Sequence, residues 1–189
     1  MGINNKETKN LIIMILQAQQ TAPDFNVTDV FNKKISLTTY KGKKVYLAFM
    51  RFAGCPVCNL RVHSLLKQAT AFKEKNIEVV LVYESSIENM HMYLDGTSYP
   101  FTFVADPQNI LYDRYGVEKS WGKFLSSMFK GLLAKASAGE KLFKKKPKSD
   151  GNMNRMEAEF LIDENIKIVI AHYASFLGDN VSIEKILNA

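Results

Sequence analysis

Cysteine is nearly absent from this sequence. There are two in 189 residues, and both fall in one stretch, Arg51-Phe52-Ala53-Gly54-Cys55-Pro56-Val57-Cys58. So sparse a supply excludes a disulfide-stapled scaffold, and a chain of this length buries a full core without staples, as one domain over residues 1–189. A zinc site of Cys-x-x-Cys type needs four ligands. No second pair exists and His63, His91 and His172 are scattered, so neither metal nor cofactor is expected. Long apolar runs are missing too, and none approaches the roughly 20 residues of a bilayer span. The run at 11–16, Leu-Ile-Ile-Met-Ile-Leu, is short for the core of a signal peptide and is followed by glutamines. It reads as a packed N-terminal helix ahead of a leader. Met1-Gly2 has Lys6 where a myristoylation motif wants Ser or Thr. The expected compartment is the cytoplasm, where thiols stay reduced.

Charge is neither absent nor spread. The net charge is +6, and residues 130–148 hold seven lysines against one acid, Glu140, so the remainder is close to neutral. That is one basic loop rather than the distributed basic face of a nucleic-acid binder, and no nucleic acid is expected as partner.

Hydrophobic patterning gives the organisation. Two short, partly alternating segments near 25–30 and 34–37 precede a turn at Lys41-Gly42-Lys43. The run Val45-Tyr46-Leu47-Ala48-Phe49-Met50 fits a strand buried on both faces. From Pro56, apolar residues recur at helical spacing to about Lys75, and 77–83 is a second buried strand. Strand, helix and strand in this order make a parallel, right-handed crossover. A short helix at 87–94, a strand at 101–105, another short helix to Tyr115, a hairpin about Asp163-Glu164-Asn165 and a last helix after Ser182 follow. The fold class is α/β, a central mixed sheet with helices on both faces.

The cysteine pair therefore sits between a buried strand and a helix. Cys55 falls in the turn, and Cys58 lies one helical turn on, on the same face. A sulfur at a helix N-terminus meets free N–H donors and the positive end of the helix dipole, which stabilise thiolate over thiol. Pro56 suits the first helical position and stiffens that turn. Cys55 is expected to be the exposed nucleophile and Cys58 the buried resolving thiol. Half a zinc site and a pair of inert buried thiols are the competing readings, and the strand and helix context favours redox chemistry.

These segments resemble a known family. "APDF", "LTTYKGKKVYLAFMRFAGCPVCNLR", "YPFTFVADPQNILYDRYGV" and "AEFLIDENIKIVIAHY" stand in the order seen in the alkyl hydroperoxide reductase/thiol-specific antioxidant branch of the thioredoxin superfamily. The sequence is most similar to its peroxiredoxin-like members with Cys-Pro-x-Cys. The resemblance covers about 20–175, except for about 118–155. It implies a thioredoxin-like fold with a peroxiredoxin-type N-terminal extension, and an attacking role for Cys55. It implies a disulfide or peroxide substrate, a thioredoxin- or glutathione-type reductant and a homodimer. Two departures stand out. Phe52 occupies the position of the family's Thr or Ser hydroxyl, and Glu157 stands where peroxiredoxins place arginine and thioredoxins a cis-proline. An acid near Cys55 is expected to raise the thiol pKa, with Arg155, Arg51 or Arg61 available to compensate. Asn165-Ile166 stands where the family's turn has glycine, and asparagine tolerates the left-handed region.

The segment outside the resemblance, about 120–150, reads as one amphipathic basic helix running into a lysine-rich loop. Trp121, Phe124, Leu125, Met128, Phe129, Leu132 and Leu133 form its apolar stripe, Ser120 caps it and Gly139 ends it. Packing on the domain or on a second subunit is one expectation. Contact of 120–148 with an anionic membrane surface or an acidic partner is the other. Lying near Cys55, it would restrict access to the thiol. The functional expectation is a thiol-disulfide oxidoreductase using Cys55 and Cys58, with a peroxidase on the same cysteines as the alternative. A redox-inactive binding module built on the basic helix is a third reading.

Overall fold

The structure, a computed structural model, describes residues 15–94, 98–144 and 148–189. Most of the N-terminal helix expected from the 11–16 run lies outside the described residues, and residues 15–20 form no helix. Strands β1 (Asn26–Thr28) and β2 (Lys34–Ser36) pair as an antiparallel ribbon. The main sheet has five strands in the order β5-β4-β3-β6-β7. Strands β3 (Lys44–Phe49), β4 (Ile77–Tyr83) and β5 (Thr102–Ala105) are parallel, and β6 (Ala158–Ile162) and β7 (Ile168–Tyr173) complete it antiparallel.

The continuous apolar run explains the central place of β3. A strand alternates its side chains between faces, so a strand covered on both faces must be apolar throughout. Val45, Leu47 and Phe49 enter one core with Val80, Val82, Phe160 and Tyr112, while Tyr46, Ala48 and Met50 enter the other with Leu81, Tyr83 and Leu161. Both cysteines belong to the second core. Full burial of a large apolar side chain contributes about 1.5–3 kcal/mol, so the strand that delivers the thiols is also among the best anchored.

Three expectations need correction. The helix expected from Pro56 to about Lys75 is two, α1 (Pro56–Leu66) and α2 (Ala69–Glu74). Ser64 Oγ donates to the Leu60 carbonyl one turn before the break, a back-bond that bends helices. The single amphipathic helix is likewise two, α5 (Trp121–Ser127) and α6 (Leu132–Glu140), joined by a 3-10 turn at Met128–Lys130. Ser120 caps α5 as expected, accepting from Lys123 N–H. Gly139, however, lies inside α6, and the chain breaks at Gly131, whose φ of +79° is in the left-handed region. In the β6–β7 turn the left-handed residue is Ile166, with φ +65°, not Asn165. Asn165 and Lys167 N–H both donate to Asp163 Oδ1, and that side-chain turn passes the strained conformation to the β-branched neighbour. The remaining helices are α3 (Ile87–Leu94), α4 (Ile110–Arg114) and α7 (Ile183–Asn188). No helix among the described residues is long and apolar enough to cross a membrane.

Candidate active site

Strand β3 ends at Phe49, and Met50 N–H still bonds the Val82 carbonyl, so Arg51 leaves the sheet in a fixed direction. The chain then turns, with Cys55 N–H donating to the Phe52 carbonyl at 2.9 Å, and enters α1 at Pro56. Cys55 is the N-cap of α1, and its thiol does what an N-cap side chain does: its Sγ accepts from Cys58 N–H at 3.5 Å. Arg51 serves both sulfurs. Its Nη1 donates to Cys55 Sγ and its backbone N–H to Cys58 Sγ, each at 3.3 Å. The guanidinium is held by Nη2 donating to the Met153 carbonyl and by stacking over Phe52 and Phe124, at 5.1 and 5.9 Å from the ring centres.

These contacts drive the two thiols apart. Burial alone pushes Cys55 up. The hydrogen bond from the Cys58 thiol, the Arg51 charge and the N–H groups of Cys58 and Val57 outweigh it and bring Cys55 down to about 6. Cys58 is raised by burial first, then by donating to Cys55 and by the charges of Cys55 and Glu157. Near neutral pH the pair is a thiolate beside a thiol, the division of labour a nucleophile and its resolving partner require.

Glu157, just before β6, is buried, and its pKa rises to about 8, chiefly through burial and then through the Cys55 charge, with Arg51 opposing. The expected penalty on the nucleophile is therefore not realised: the acid is largely protonated at neutral pH, and Cys58 is the thiol it pushes up. Of the three arginines offered as compensation, only Arg51 bonds a sulfur. Arg155 is committed elsewhere, donating to Glu84 Oε1 at 2.7 Å, to the Val117 carbonyl and to Asn109 Oδ1, with its guanidinium over Tyr112. Arg61 grips Glu159 with two hydrogen bonds, at 2.9 and 3.0 Å, and also donates to Tyr46 and the Val181 carbonyl. Among the histidines, His172 Nε2 bonds the Asp179 carbonyl and His91 packs edge-on to Phe31.

Cys55 is not the exposed thiol its loop position implied: it is 0% exposed and Cys58 1%. The segment absent from the resemblance covers it. Helix α6 lies so close to the start of α1 that a Cβ on Gly139 would stand 1.9 Å from the Pro56 carbonyl. The Lys148 backbone lies over Gly54, where a Cβ would meet its carbonyl at 2.0 Å, and Tyr93 OH accepts from Lys148 N–H. Below it, Ser85 Oγ accepts from Ala53 N–H and donates to Asp150. Sequence reasoning missed Ser85, Asp150 and Tyr93, whose partners are 32 or more residues away. Gly54 was a visible sign of this close approach that was not read as one, since only glycine leaves that room. A cleft of about 560 Å³ lies at the other end of β4, around Ile77, Phe72 and Phe101. A small aromatic cavity of about 40 Å³ lies between Ala53, Tyr83, Tyr93 and Phe103.

Comparison with known proteins agrees with this fold. Peroxiredoxin Bcp of Escherichia coli (strain K12) is 23% identical over 119 residues, which are 62% of this chain and 74% of that protein. The crystal structure of peroxidoxin BcpB from Mycobacterium tuberculosis superposes with a TM-score of 0.63 at 16% identity, over 92% of this chain and 95% of that one. The reduced 2-Cys peroxiredoxin of Plasmodium vivax gives 0.64 at 19% identity, over 90% and 78%. These likenesses establish the thioredoxin-like peroxiredoxin fold. The model of the AhpC/TSA family matches residues 18–171, a span that contains β3, both cysteines, Glu157 and all of the five-stranded sheet except the last two residues of β7, and the chain belongs to that family.

Proposed function

We propose that this chain is a thiol-dependent oxidoreductase in which Cys55 is the nucleophile and Cys58 the resolving thiol. The observation that carries the reading is Arg51 Nη1 on Cys55 Sγ at the N-terminus of α1, with the Cys58 N–H donating to the same sulfur. The Cys55 thiolate attacks one sulfur of a substrate disulfide, a mixed disulfide forms, and the other sulfur leaves as a thiolate that takes up a proton. Cys58 then loses its proton and attacks Cys55 Sγ. The Cys55–Cys58 disulfide closes and the second substrate thiol is released. A thioredoxin- or glutathione-type donor returns two electrons and two protons.

Disulfide substrates are favoured by Phe52, an apolar side chain where a peroxide-binding hydroxyl would stand. Arg51 favours the second reading, peroxide reduction, because it supplies from the turn after β3 the guanidinium that Glu157 does not. There the thiolate takes the terminal peroxide oxygen, the alcohol or water leaves, and Cys58 displaces water from the sulfenic acid. Arg51 and Pro56 support the site, one by charge and one by fixing the first turn of α1. A reducing compartment such as the cytoplasm, a single domain and a homodimer fit this reading.

The deciding experiment is the rate at which fully reduced protein loses thiols to hydrogen peroxide, with Cys55→Ser as control. A rate far above that of a free thiol, lost in the variant, makes it a peroxidase. A rate no better leaves disulfide exchange, to be read with a model disulfide. If neither reaction depends on Cys55, the enzyme reading fails and a binding module remains.

A further inference from the structure

The two helices that cover the thiols have another side. Trp121 and Leu125 are each 59% exposed, Phe129 90% and Leu133 67%, and Met128 is exposed beside them. Trp121, Leu125, Phe129 and Leu133 recur at every fourth position through α5, the 3-10 turn and the first residues of α6. The opposite side is spent on the molecule itself: Ser127, Leu132 and Gly139 are buried, and Phe124 packs on the core. The expectation that the whole stripe packs on the domain is therefore met by a minority of its members. Isolated exposed apolar residues are ordinary, but five large ones within thirteen positions form a patch that needs an occupant.

Charge selects the occupant. Residues 120–148 carry eight lysines and one acid, Glu140. A second copy docked through the same patch would set two such basic surfaces face to face, which opposes a two-fold contact here. An exposed apolar stripe in so basic a segment matches an anionic lipid surface. The apolar side chains enter the boundary between headgroups and acyl chains, the segment's excess positive charge is drawn to lipid phosphates, and tryptophan is at home at that depth. We propose that α5 and α6 dock this chain on an anionic bilayer through Trp121, Leu125, Met128, Phe129 and Leu133. The proposal is independent of the thiol chemistry.

Trp121 is the only tryptophan, so the protein carries its own probe. The full chain is mixed with vesicles of phosphatidylcholine alone or with phosphatidylglycerol added. Tryptophan emission and co-sedimentation are read together. With the anionic vesicles, emission should shift to the blue and the protein should pellet, at least about tenfold more tightly than with phosphatidylcholine. Leu125→Ser with Phe129→Ser should lose at least about tenfold in partitioning. Both side chains face solvent, so thiol reactivity should stay at the wild-type level. Wild-type protein that stays in the supernatant with unshifted emission overturns the proposal. So does binding that survives the double substitution. If polyglutamate shifts the emission and the vesicles do not, the occupant is an acidic polypeptide and the lipid assignment is wrong.

Discussion

Glu157 and Glu159 stand two residues apart on one side of the β6 chain. Both are buried, and they differ in one respect. Glu159 meets the Arg61 guanidinium with two hydrogen bonds and accepts a third from Val181 N–H at 2.8 Å. Glu157 has no guanidinium bond. Gly178 N–H reaches it at 3.4 Å, and Arg51, the arginine that shares its surroundings, spends its donors on Cys55 and Met153. One carboxylate is a tie between α1, β6 and the 181 loop. The other is a titrating group beside two thiols. The difference lies in what each acid's nearest arginine is committed to, since a buried charge is either paired or neutralised.

The largest effect should come from breaking the paired acid. Glu159→Ala leaves Arg61 charged in the core and should cost about 3–5 kcal/mol, read as a lower urea midpoint. Replacing Arg61 and Glu159 together by Met and Leu should recover most of that, because no uncompensated charge remains. A double variant as unstable as the single one would mean that the loss is in packing rather than charge.

Glu157→Gln should act through pH instead. A glutamate ordinarily titrates near 4.5, and here the folded state holds its proton to about 8. Between those values the folded state carries the extra proton. The stability that Glu157 contributes is full below 4.5 and lost as pH rises toward 8. Cys55 has the opposite sign: its ordinary value of 9.0 falls to about 6, so its contribution is full above 9 and lost as pH falls through 6. In the wild type the two oppose each other between 6 and 8. Glu157→Gln should leave only the rise with pH, and Cys55→Ser only the fall, each with a slope of at most about 1.4 kcal/mol per pH unit. Urea midpoints of the reduced proteins from pH 5 to about 9 decide it. Unchanged curves in both variants would refute the titrating role.

How much of this contrast could be read in the sequence follows from distance along the chain. Strands β3 and β4 and helix α3 were legible nearly to the residue, since they are set by local patterning. So were the cysteine pair and the nearness of Arg51, because four residues of turn hold them together. The partners of Arg61 and Arg155 were not, for their carboxylates lie 98 and 71 positions away, and no local period encodes a pairing across the sheet. The cover on Cys55 was foreseen only as a condition, and its contacts were not legible for the same reason: Gly139 meets Pro56 only after the chain has been through β4, β5 and α5. The bend at Gly131 had a visible sign, a glycine, overridden by an apolar stripe that runs through it.

A smaller effect is expected from Arg51→Met, which removes the charge beside Cys55 and keeps the apolar stem over Phe52. The Cys55 pKa should rise, so the pH profile of alkylation by iodoacetamide should move upward by about one unit, with about tenfold less thiolate in the acidic limb. Cys58 keeps the backbone N–H of residue 51 and should not follow. A profile that does not move would assign the low value to the helix terminus alone.

The smallest effect tests whether burial or bond length makes the pairs differ. Lys43 Nζ lies 2.6 Å from Glu78 Oε1, closer than Arg61 to Glu159, yet both side chains are well exposed, at 47% and 37%. Water solvates either partner when the other is removed, and salt screens what attraction remains. Lys43→Met should therefore leave the urea midpoint where it is, at low salt and at high. A clear loss would mean that bond length, not desolvation, sets the worth of these pairs, and the contrast between Glu157 and Glu159 would then need another cause.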